Sequence, residues 1–187
     1  MKSFAILLIS ALAIVAFIFI IQRSSKNDIS NPLSMGNIIL KSSAFKNNEP
    51  IPAKYTCDGD PPAGGINPPL EIENVPSGAK SLVLIVDDPD APRGDWVHWT
   101  LWNVAVATKE IAEDSIPAGA VQGMTDFGKP GYGGPCPPSG THHYQFKLYA
   151  LDVTLNLPPS ASKSQIEDAI QGYILGQTVL IGLYSRK

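Results

Sequence analysis

Two short stretches hold the residues of this chain whose types suggest chemistry. In the first, Asp87, Asp88 and Asp90 surround Pro89, and Trp96 and His98 follow closely. In the second, His142, His143 and Tyr144 are consecutive and are preceded by a loop rich in glycine and proline, Lys129 to Thr141. A carboxylate near an imidazole favours the protonated ring, which donates to anionic oxygens, and a phenol supplies a further donor. The carboxylate could also face an ammonium group. Residues of these types converging on one spot would suit a small anionic or zwitterionic ligand, such as a phosphate or carboxylate bearing a nearby cation. A zinc site built from His98, His142 and Asp88 is the alternative that the residue types leave open; no metal or cofactor is assigned. Catalytic motifs are missing: Ser139 sits in Pro-Ser-Gly rather than in a nucleophile elbow, there is no Walker loop, and the histidines lack helical HExxH spacing. A non-catalytic binding protein is therefore expected, with a hydrolase as the weakest alternative.

These residues need strands to hold them. Ser81 to Val86 is an unbroken aliphatic run that reads as a buried strand and stops at the acidic Asp-Pro turn. A second strand begins at Trp96, and its period of 2 would place His98, Thr100 and Trp102 on one face and Val97, Trp99 and Leu101 on the other. On a third, His142, Tyr144 and Phe146 would share a face while His143 and Gln145 point away. A solvated turn beside a core histidine would explain either feature alone. Both together point to a pocket containing Asp88, His98, His142 and Tyr144. Glycines in the second loop let backbone approach an anion, and the prolines hold its shape.

The 17 prolines and 16 glycines cluster between short β-rich runs, which indicates an all-β domain with long rigid loops. Strands are predicted at residues 38–45, 70–75, 81–86, 97–106, 144–151 and 178–184. One helix is predicted: Ser162 and Gln165 form a capping box, and Ile166, Ala169, Ile170, Tyr173 and Ile174 follow a 3.6-residue period toward Gly176. A formal net charge of −3 without a basic stripe argues against nucleic acid as a partner.

Residues 4–21 are almost uniformly apolar and end in Ile21-Gln22-Arg23 without a small-residue cleavage pattern. The expected organisation is a membrane anchor or signal segment over 1–22, a polar tether over 23–36 and one domain over 37–187. Charges flanking the apolar run give little orientation bias. The expectation is a single-pass membrane protein with its domain outside the cytoplasm; secretion after cleavage is the alternative. Cys57 and Cys136 are the chain's 2 cysteines. They would pair in an exported domain and stay reduced in the cytoplasm.

Asp88-Pro89-Asp90-Ala91-Pro92, Trp96-Val97-His98 and Gly134-Pro135-Cys136-Pro137-Pro138-Ser139-Gly140 leading into His142-His143-Tyr144 resemble the two motifs of the phosphatidylethanolamine-binding protein (PEBP) family. The likeness is greatest to its prokaryotic Raf-kinase-inhibitor-like branch and covers about residues 37–187. It implies a Greek-key β-sandwich with a C-terminal helix and a surface anion pocket. By position, the resemblance assigns ligand contacts to Asp88, His98, His142 and Tyr144, with walls from Pro92, Trp96 and Pro138. It also implies possible inhibition of a protein kinase or serine protease through the pocket rim. The chain departs from animal members at Val97, where they place a second histidine, and at His143, where they place an arginine.

Overall fold

The computed structural model describes residues 37–59 and 65–186. The apolar run over 4–21 and the tether over 23–36 lie outside the described residues. Among those described, no helix is long and apolar enough to cross a membrane.

Two β-sheets enclose the principal core. The smaller joins β1 (Ile39–Lys41), β3 (Leu70–Glu73) and β6 (Glu110–Ile111). The larger has the order β2-β9-β8-β4-β5-β7, with β2 at Glu49–Pro50, β4 at Ser81–Asp88, β5 at Trp96–Val104, β7 at Val121–Gln122, β8 at His142–Leu151 and β9 at Ile174–Tyr184. The β4-β5, β4-β8 and β8-β9 pairs are antiparallel. Alternation along these strands divides their side chains between two apolar clusters. Leu82, Leu84, Val86, Trp99, Leu101, Phe146 and Leu148 meet Leu40, Leu70, Ile72 and Ile111 between the sheets. On the outer face, Val83, Ile85, Trp102 and Leu151 are covered by Ile166 and Ile170 of the helix α1 (Lys163–Ile170).

The Ser162–Gln165 capping box is present. The helix ends earlier than its periodicity suggests, however. Gln171 is extended, Gly172 has φ +81°, and Ile174 already belongs to β9. Ile174 packs against the outer cluster from that strand, while Tyr173 is exposed, so an accidental 3.6-residue spacing spanned a turn. The edges of the strands also differ from expectation. The ladder of β4 runs on through Asp87 and Asp88, because both are paired across to β5 and Asp87 also to β8.

Those two adjacent carboxylates leave the sheet on opposite faces. Asp87 is fully buried on the helix side, where its Oδ2 accepts from Lys147 Nζ at 2.6 Å and Lys163 Nζ at 2.5 Å. Lys163 also bonds Asp95, so the first turn of α1 is tied to the loop that leads into β5. Burial alone would lower the Lys163 pKa, but its bonds to Asp87 and Asp95 outweigh this and raise it, keeping the ammonium charged. Removing the shared acceptor would strand the mostly buried Lys147 ammonium and leave Lys163 hydrogen-bonded to Asp95 alone. Asp87→Ala is therefore expected to cost about 3 kcal/mol of unfolding free energy in urea titration, the scale for breaking a buried pair; a loss under about 1 kcal/mol would contradict this role.

Candidate functional site

Asp88 faces the other way, into a cavity of about 220 Å³ where β4, β5 and β8 end. All seven residues singled out in the sequence line it: Asp88, Pro92, Trp96, His98, Pro138, His142 and Tyr144. Ala91, Phe127, Cys136 and Pro137 complete the wall. The chain's 3 histidines are gathered here, two in the cavity and His143 at its edge.

Asp88 and the two imidazoles are each oriented by a partner. The His142 Nδ1–H donates to Asp88 Oδ2 at 2.7 Å, with both residues buried. Asp88 Oδ1 accepts from the Asp90 amide at 3.0 Å, which fixes the carboxylate and closes the turn around Pro89. Asp90 in turn accepts from the His143 amide at 2.8 Å and its ring Nδ1 at 2.7 Å, and the bonds to His143 hold its carboxyl below the usual range. His143 thus braces the turn from outside and does not line the cavity.

His98 reaches the cavity by a route that simple alternation misses. Its predicted companion Trp102 belongs to the outer, helix-side cluster, whereas His98 packs edge-on to Tyr144 at 5.1 Å and to Phe127 at 5.3 Å. The cause is a β-bulge. Val86 pairs with Trp99 and Asp87 with Val97, so His98 is the extra residue and the strand's facing is reset there. The ring is then pinned: its Nδ1–H donates to the Gly133 carbonyl at 2.6 Å, while the Gly133 amide donates back to the His98 carbonyl at 2.9 Å. Gly133 has room for this exchange only because it lacks a Cβ, which would stand inside the Phe127 ring. Burial is the main influence on His98 and lowers its pKa against the opposing pull of the Gly133 bond and of Asp88, Asp87 and Asp126.

Tyr144 is 1% exposed, yet its hydroxyl has no hydrogen-bond partner among the described residues. It lies near the Asp88 carboxylate and the Cys136 main chain without completing a bond to either. Burial, then the charge of Asp88, pushes its pKa well above the ordinary value, so the group remains an O–H donor. An unpaired buried hydroxyl costs on the order of 1–3 kcal/mol, which a ligand oxygen would recover.

Phe127 is the wall residue that the sequence did not flag. It lies in no recognisable motif, but it stacks edge-on with Trp96 at 5.6 Å and closes the cavity opposite the Gly-Pro loop. That loop is tied down by a disulfide between Cys57 and Cys136, with a Cα–Cα distance of 5.4 Å. The Cys57 amide also donates to the Pro135 carbonyl. A larger groove of about 750 Å³ is lined by Pro50, Ile51, Ala53, Asp58, Leu183 and Tyr184. Its carboxylate, Asp58, already accepts from the Tyr184 hydroxyl, and no buried unpaired polar atom lines it. The smaller cavity is therefore the candidate site. Among the described residues no cluster of three or more His, Cys, Asp or Glu side chains is arranged to hold a metal ion.

The phosphatidylethanolamine-binding protein family model matches residues 41–185. A UPF0098 protein of Pyrococcus horikoshii is 51% identical over 78% of this chain and 76% of its own length. The UPF0098 protein of Methanothermobacter thermautotrophicus is 49% identical over 79% of this chain and 98% of its own. Among solved structures, the PEBP homolog CT736 of Chlamydia trachomatis superposes with a TM-score of 0.75 at 42% identity, covering 80% of this chain and 98% of that one. E. coli YbcL, a member of the mammalian PEBP family, gives 0.74 at 31% identity, covering 80% and 99%. This chain belongs to the phosphatidylethanolamine-binding protein family, a family of ligand-binding proteins.

Two outcomes test the geometry. Replacing Cys57 and Cys136 together by serine should lower unfolding free energy by roughly 4 kcal/mol, the loop-closure value for a bridge of this span; equal denaturation midpoints for both proteins under oxidising conditions would exclude a stabilising bridge. For His98, the folded pKa lies below the unfolded value of 6.5, so the unfolded state binds the proton more readily. Stability should then fall as pH drops from about 6.5 through the folded pKa. The decline in Tm over that window should be shallower in His98→Gln; identical slopes would contradict a neutral buried imidazole.

Proposed function

We propose that the protein is a non-catalytic receptor for a small phosphate-type anion, free or carried on a phospholipid head group, bound in the cavity between Asp88, His98, His142 and Tyr144. The observation that carries this reading is the buried Tyr144 hydroxyl, a donor without a partner that lines a cavity between two oriented imidazoles. Such a donor is suited to an anionic oxygen. The apolar wall of Pro92, Trp96, Phe127 and Pro138 would shield the contact from water and could lie against the carbon part of a head group. Ser139 and its hydroxyl do not line the cavity, which leaves a hydrolase without its most obvious nucleophile.

The same reading places the domain at a membrane. Residues 4–21 would serve as the anchor and 23–36 as the tether, with the domain outside the cytoplasm. The disulfide supports this side of the membrane, since such bridges persist in oxidising compartments.

Tyr144→Phe keeps the ring and its packing and removes only the donor. Isothermal titration of the full-length protein with phosphoethanolamine should show affinity reduced about tenfold in this variant, the worth of one good hydrogen bond to a charged group. His143→Ala should change affinity by less than about twofold, because His143 lies outside the cavity. Equal losses in both variants, or none in Tyr144→Phe, would count against the site.

A further inference from the structure

A cavity meant for anions would ordinarily carry a lysine or arginine, and none lines this one. Charge compensation therefore has to come from protons. Both imidazoles are held in the same tautomer by acceptors: His98 donates from Nδ1 to the Gly133 carbonyl, and His142 donates from Nδ1 to the Asp88 carboxylate. In a neutral ring, the nitrogen left over, Nε2, is an acceptor. Neither Nε2 has a hydrogen-bond partner among the described residues. With neutral rings the site thus offers two imidazole lone pairs and a carboxylate, and the Tyr144 hydroxyl is the one buried, unpaired side-chain donor among the lining residues described.

We propose that this pocket binds anions only together with protons, and so selects a phosphate that brings its own proton over a fully ionised sulfate. The inference rests on the anion-pocket reading given above. A monoprotonated phosphate meets the groups as they stand: its O–H donates to an imidazole Nε2, and an anionic oxygen accepts from Tyr144. Sulfate has no proton to give near neutrality, so an imidazole must first take one from solvent and turn its Nε2 into a donor. The proton count of the filled site is the same in both cases; its source differs.

The surroundings of His98 make that uptake costly. Asp88 and Asp87 on β4 and Asp126 after β7 favour a charged ring, while Tyr144 on β8 packs edge-on against it and His142 lines the same cavity. Burial outweighs the carboxylates and keeps His98 neutral in the empty site. His142 is bounded by Asp88 and Tyr144 within the cavity and by Asp90 beyond it.

By linkage, binding that consumes one proton weakens about tenfold per pH unit above the pKa of the group that takes it up. Phosphate monoesters have a second pKa near 6 and still carry a proton in part at neutrality. The test is calorimetric titration of the full-length protein, in an uncharged detergent, with inorganic phosphate and with sulfate at about pH 5 and about pH 7. Each is run in two buffers of different ionisation enthalpy so that proton uptake is counted. The ratio of phosphate to sulfate affinity should rise at least about tenfold from the lower pH to the higher, and sulfate should take up about one proton more than phosphate. Sulfate binding as tightly as phosphate at about pH 7 without proton uptake would overturn the proposal and leave the anion pocket standing. Failure of both anions to bind at either pH would remove the pocket reading and the proposal with it.

Discussion

The neighbouring carboxylates at the end of β4 set the layout of this domain. A strand turns successive side chains to opposite faces, so Asp87 and Asp88 serve two layers from one point on the backbone. Asp87 gathers Lys147 and Lys163 on the outer face and holds the start of α1 against the loop before β5. Asp88 orients His142 on the inner face and closes the acidic turn through the Asp90 amide. Neither task could be exchanged for the other without reversing the strand. The cavity is therefore built on the most deeply buried strand of the sheet, whose eight residues are all buried, and its geometry inherits that rigidity.

A second constraint comes from the bulge at His98. Of the two register shifts in the β4-β5 ladder, the one at His98 adds a residue to β5 and brings His98 against Tyr144 while Trp102 stays with the helix. The reciprocal bonds to Gly133 then fix the ring. A histidine on a regular strand would have pointed toward α1. Here backbone irregularity and a missing Cβ supply what side-chain choice alone could not.

Much of this was legible from residue types. The acidic turn, the paired histidines with tyrosine and the Gly-Pro loop marked the site, and the β4 and β8 cores were readable as apolar runs with clean alternation. The bulge was not legible, because inserting a residue leaves no compositional mark when the flanking positions are all aromatic or apolar. Phe127 leaves no mark for a related reason: its role depends on the approach of Trp96 from a distant strand and on the fold of its own loop back to Gly133, which no local spacing encodes. Likewise Lys163 reads in sequence as an ordinary first-turn helical residue, and only the packing of α1 on the sheet brings it to Asp87. The overextended helix shows the reverse error, in which Tyr173 and Ile174 kept helical spacing by chance across the turn at Gly172.

The fit of the cavity to an anion turns on where the imidazole protons reside. Long-range proton–nitrogen NMR of the histidine rings reads this directly at neutral pH, before and after phosphate is added. His98 and His142 should each show a protonated Nδ1 and an unprotonated Nε2 in the empty protein; with phosphate bound both Nε2 atoms should stay unprotonated, one of them shifted as it accepts the phosphate O–H, whereas sulfate should protonate one. A ring protonated at Nε2 in the empty site, or two rings whose nitrogens are both unchanged by saturating phosphate, would contradict this arrangement.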